Sequence, residues 1–86
     1  MPDRIVYVYF MEDKPEEIRQ HVAAHVAYWK NAQLPNYQGG PFNDRSGGLI
    51  VFDAPDLESA AKIVADDPFQ QHQLLHCHRL KVWLPE

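Results

Sequence analysis

Cysteine occurs once in 86 residues, which excludes an internal disulfide and with it the stapled, secreted type of small scaffold. The same count rules out structural zinc of the Cys₄ or Cys₂His₂ kind. Basic residues are also few, eight Lys and Arg against twelve Asp and Glu, and they form no run or stripe. The electrostatic footprint of a nucleic-acid binder is therefore missing. The longest apolar stretches, near Ile5–Met11 and Gly48–Phe52, are far too short to span a membrane. The start, Met1-Pro2-Asp3-Arg4, has no small-residue cleavage site and does not read as a signal peptide. A single domain over 1–86 is expected, in a reducing compartment and so in the cytoplasm. A chain this short buries only about 60–65% of its unfolded surface. Self-association is the readiest source of more, and a homodimer is expected.

The apolar content, 45%, is that of a globular protein, and its pattern orders the elements. Arg4–Phe10 (RIVYVYF) is β-branched and aromatic throughout and predicts a strand buried on both faces. A helix should follow from Pro15 to about Ala32, with Glu16 and Glu17 in its first turn and Ile18, Val22, Val26 and Trp29 as its apolar stripe. Tyr37–Phe42, with two glycines and a proline, reads as a short irregular strand. The turn Asn43–Gly47 joins it to a strand at Gly48–Asp53, an antiparallel hairpin. Pro55 opens a second helix with Leu57, Ala60, Ala61 and Val64 on one face, ending at Asp66-Asp67-Pro68. After the polar Gln70–Gln73, the alternating Leu74–Leu84 is the last strand. The order β-α-β-β-α-β is the ferredoxin-like α+β arrangement: a four-stranded antiparallel sheet with two helices on one face. The other face then needs apolar cover, which a second subunit or a ligand would supply.

Histidine, present five times, carries the chemistry. His25 lies seven residues beyond Ile18, about 20° from its azimuth on an ideal helix, and so should face the sheet. A core histidine bonded to a backbone carbonyl and a general acid–base both fit that position. Asp67 follows Asp66 at a helix end, where the dipole disfavours carboxylates. It either caps the turn before Pro68 or accepts a proton from an imidazole. His76 and His78 share a strand face, and His76 fits a polar pocket lining. His21 and His25 at i, i+4 make a metal geometrically conceivable. With no acid at an established metal-motif spacing, no metal is expected. His21 and His72 read as surface residues, and Cys77 as a small buried hydrophobe. Gly39-Gly40 and Gly47-Gly48 lack the context of a phosphate loop.

Four blocks, in order, resemble the YCII-related family: His25–Trp29 (HVAYW) its H-L-A-Y-L helix, Gly39–Phe42 its G-G-P-F strand, Gly47–Val51 its G-G-L-x-V strand, and Ala65–Phe69 its A-x-D-P-F turn. Val82-Trp83 also fits, whereas Trp29 stands where the family usually has Leu. The resemblance implies a ferredoxin-like, dimeric α+β barrel with a His–Asp centre, here His25 and Asp67. It also implies a cofactor-independent lyase that eliminates HCl from a chlorinated hydroxyhydroquinone, the activity of one enzymatic member. For such a small aromatic substrate, Phe42, Phe69 and the backbone around Gly40 are expected to hold the ring, with His76 as a hydrogen-bond partner. A muconolactone-type isomerase or dehalogenase, and a non-catalytic binding dimer with a structural histidine, are the alternatives.

Overall fold

A computed structural model describes residues 2–86. Its elements run β1 (Asp3–Met11), α1 (Pro15–Asn31), β2 (Gln38–Pro41), β3 (Gly47–Ala54), α2 (Leu57–Ala65), α3 (Pro68–Gln71) and β4 (Leu75–Trp83). The four strands form one antiparallel sheet in the order β2-β3-β1-β4. This is the expected ferredoxin-like fold, with the helices packed on one face.

Strand parity divides the sheet. Ile5, Tyr7 and Tyr9 of β1 are buried with Ile50, Phe52 and Ala54 of β3 in the helix-covered core. Val6 and Val8 on the other parity are only half-buried and Phe10 is exposed. The expectation that β1 is buried on both faces is thus corrected: helices cover one face, and among the described residues no helix covers the other.

The helix-one stripe also needs revision. Buried on α1 are His25 and Trp29, while Val22 and Val26 are 43% and 41% exposed. Trp29 rests against Tyr7 and Phe52, ring centroids 5.9 and 5.8 Å away, and so turns its helical face toward the sheet centre. Val22 and Val26 are left over a gap between α1 and edge strand β2. Tyr28 ties α1 to α2 by donating to the Ile63 carbonyl at 2.6 Å.

The second helix begins later than Pro55, because Asp56 is its N-cap and accepts from the Ser59 N–H at 2.7 Å. Between it and β4 lies the one-turn α3, which overlaps the polar stretch Gln70–Gln73. Pro68 starts that turn and Asp67 caps it, accepting from the Phe69 N–H at 3.0 Å. So Asp67 does not sit at the unfavourable end of a helix; it begins a new one.

Candidate active site

Asp67 is fully buried, and its capping role leaves it facing α1. Its Oδ1 lies 2.8 Å from Nδ1 of His25, which is itself 7% exposed. A carboxylate only accepts, so Nδ1 carries the proton and Nε2 of the neutral ring is the free base. The other carboxylate oxygen, Oδ2, is buried without a hydrogen-bond partner among the described residues. Phe69 stacks on the His25 ring at 4.0 Å and 9°, fixing its plane. The alternatives left open in the sequence therefore coincide: Asp67 caps a turn and orients an imidazole at once.

Nε2 points at a group that the sequence reading assigned to the core. The Tyr9 hydroxyl lies 3.3 Å from it, edge-on to the ring at 5.6 Å between centroids. Burial, followed by the Asp67 charge, pushes the Tyr9 phenol up to about 12, so it stays an O–H donor at neutral pH. Room for that hydroxyl comes from β3. A β-carbon on Gly48 would overlap the Tyr9 hydroxyl, and one on Gly47 would overlap the Tyr9 carbonyl. The glycine pair that follows the turn therefore makes space for tyrosine rather than for phosphate. Tyr9 shares a sheet face with Tyr7 and Ile5 and pairs directly with Gly48.

The three side chains Tyr9, His25 and Phe69 open on a cavity of about 420 Å³ between α1 and β2. Ile18, Val22, Val26, Trp29 and Ile50 give it an apolar wall; Tyr37 and the Gly39–Pro41 backbone form the β2 side; Lys30 and Arg45 complete it. This volume suits a single small ring. Gly40 and Phe69 thus lie where a substrate contact was expected. Phe42 and His76 do not. The Phe42 ring packs on Phe10 at 5.9 Å, toward the uncovered sheet face, and is not part of the cavity wall. His76 sits at the point where β4 slips register against Phe10–Met11, and its exposed ring pairs with Glu12 at 3.0 Å. That bulge breaks the alternation from which its facing was inferred. His78 packs edge-on against Tyr7 at 5.8 Å, and His21 stacks on His72 at 3.8 Å. Among the described residues no three His, Cys, Asp or Glu side chains converge on a metal position, and no helix is long and apolar enough to cross a membrane.

Comparison with known proteins places this geometry in context. The model of the YCII-related domain matches residues 4–84. An uncharacterised Bacillus subtilis protein, YjpA, is 37% identical over 67 residues, 73% of this chain and 79% of its own. The solved structure of 5-chloro-2-hydroxyhydroquinone dehydrochlorinase (TftG) from Burkholderia phenoliruptrix, in complex with 2,5-dihydroxybenzoquinone, is similar with a TM-score of 0.82. Identity to it is 18%, over 94% of this chain and 93% of that one. The Pseudomonas aeruginosa protein PA3566 has a TM-score of 0.59 at 13% identity, over 98% and 95% of the two chains.

Proposed function

This chain belongs to the YCII-related family, and from that premise we propose that it is a small-molecule lyase, a dehydrochlorinase of chlorinated hydroxy-aromatics working by His25–Asp67 acid–base catalysis. The observation that carries the reading is an imidazole whose Nδ1 is held by a buried carboxylate and whose Nε2 opens on an apolar cavity of ring size. That arrangement is a general base poised for one proton. The dehydrochlorinase named above, similar in fold and bound to a dihydroxybenzoquinone, supports the choice of substrate class.

The chemistry is as follows. Nε2 takes the proton of a ring hydroxyl ortho to chlorine, and Asp67 stabilises the imidazolium that forms. The oxygen becomes a carbonyl as the chlorine-bearing carbon is protonated. The hydroxyl para to that carbonyl then loses its proton, its electron pair shifts through the ring, and chloride leaves. The products are a quinone and HCl, and the two electrons lost by the ring depart with chloride. Proton and electron balance closes with substrate and the imidazole alone. Tyr9, whose O–H meets Nε2 in the open cavity, is placed to donate to the substrate oxygen as negative charge develops there. Phe69 and the Gly40 backbone border the ring.

The test is direct. Chloride release and quinone absorbance are followed with a chlorinated hydroxyhydroquinone and purified protein. His25→Ala, shown by circular dichroism to remain folded, should lose at least about a thousandfold in kcat. An unchanged rate in that variant, or no turnover by the native chain, sinks the proposal.

A further inference from the structure

The cavity holds one more pattern, its charge. The chain carries a net charge of −4, yet the only fully charged side chains that line this cavity among the described residues are two cations, Lys30 and Arg45. No carboxylate reaches its wall; Asp67 stays behind His25. Neither cation takes part in an ion pair among the described residues. Asp44 adjoins Arg45 in the turn, but its Oδ1 accepts from the Ser46 amide and hydroxyl; Glu12 and Asp13 border a separate shallow depression that Arg45 also touches, and Glu12 is occupied by His76.

Their positions matter as much as their sign. The cavity follows α1 from Ile18 to Lys30, twelve residues and so about 18 Å of helix. Lys30 stands one row beyond Val22 and Val26, about 7.5 Å along the axis from His25. Arg45 comes from the β2–β3 turn at the opposite end, beside Ile18 and Met11. The imidazole thus lies between two unneutralised cations. Arg45 also adopts φ 65°, the left-handed region that glycine occupies freely and arginine does not. A long cationic side chain thus stands at a backbone position that disfavours it, on the rim of this cavity.

We infer that this cavity selects anionic planar molecules, with Lys30 and Arg45 receiving carboxylate or phenolate groups at either side of the ring held over His25. The inference rests on the proposed reading for the identity of the site, and it deepens that reading by giving the substrate a charge. A dianion with acid groups at opposite ends satisfies both cations at once. It binds more tightly than a monoanion, and a monoanion more tightly than its neutral isostere.

Titration with terephthalate, benzoate and benzamide, read by the ¹H–¹⁵N shifts of the Trp29 indole and the Gly39 and Gly40 amides, tests this without any turnover. The expected order of affinity is terephthalate, benzoate, benzamide. Lys30→Gln and Arg45→Gly should each weaken terephthalate about fivefold, as for a partly solvated ion pair, and leave benzamide unchanged. Glycine suits the Arg45 backbone, so that variant keeps its fold. Benzamide binding as tightly as the anions, variants that bind terephthalate as tightly as the native chain, or no binding by any probe overturns the inference. If the anions bind as expected while the chlorinated substrate is not turned over, the catalytic reading fails and the charge selectivity stands.

Discussion

A single proton decides what His25 can do. Asp67 holds that proton on Nδ1 and leaves Nε2 as the base facing Tyr9 and the cavity. Asp67→Asn keeps the cap on α3 but offers an amide that can donate to Nδ1, which turns the imidazole to the wrong tautomer. The expected cost is about 10³–10⁴ in kcat with little change in Tm, measured by steady-state kinetics and thermal melts. Tyr9 leaves a signature at the alkaline end. Its phenol is near 12 in the folded chain against an ordinary value of 10, so folding favours the neutral form. The stability tied to that preference is complete below pH 10 and is lost as pH rises toward 12. Tyr7 is raised in the same direction, chiefly by burial. Alkaline unfolding followed by circular dichroism should therefore begin near pH 10, and Tyr9→Phe should shift its midpoint upward. A midpoint that does not move places Tyr9 outside the coupled group. His25 and Asp67 were legible in the sequence because a histidine on an apolar stripe and paired acids at a helix end both break expectation. Tyr9 was hidden because an aromatic residue in a strand breaks none.

Among the elements, α1 shows why periodicity alone misplaces a surface. Four apolar residues at helical spacing made one stripe on paper, but the helix turns Trp29 and His25 inward and leaves Val22 and Val26 over the cavity. A helix packed flat on the sheet would have no groove beside β2. The difference is measurable in urea. Trp29→Ala, at a residue 1% exposed and wedged against Tyr7, should cost about 3–5 kcal/mol. Val22→Ala, at an exposed wall, should cost less than about 1 kcal/mol while changing ligand affinity. Equal losses at the two sites would mean that α1 buries the stripe read from the sequence. The order of the strands and the long helices was readable because each carries its own period. The one-turn α3 was not, since Pro-Phe-Gln-Gln is too short to show a period and is set by the Asp67 cap. The slip between Phe10 and Met11 that displaces His76 likewise has no mark in the alternation of β4.

For the molecule as a whole, the accessible surface is 5889 Å², against roughly 5,200 Å² expected for a folded monomer of this mass. Its extents, 41 × 24 × 19 Å, are those of a slab, one layer of helices on one sheet. On the face without helices, exposed Phe10 of β1 and Leu49 of β3 lie beside the half-buried Val6 and Val8, with Phe42 packed on Phe10. Arg79 and Lys81 of β4 pair with Val8 and Val6 and border this apolar strip. An uncovered strip of that kind on a chain with so small a core favours pairing with a second copy through the same face. The expectation is a mass near twice 10.0 kDa by sedimentation and a Tm that rises with protein concentration. Leu49 lies directly opposite Val8 at the centre of the strip, so Leu49→Lys would set a charge against its own copy or against Arg79 of the partner face. That variant should sediment as a monomer and melt at a lower, concentration-independent temperature. Its cavity lies on the helix side of the sheet, so a monomeric Leu49→Lys chain that keeps the Asp67–His25 pair should still bind a planar anion. Loss of binding together with the dimer would show instead that a second copy completes the site.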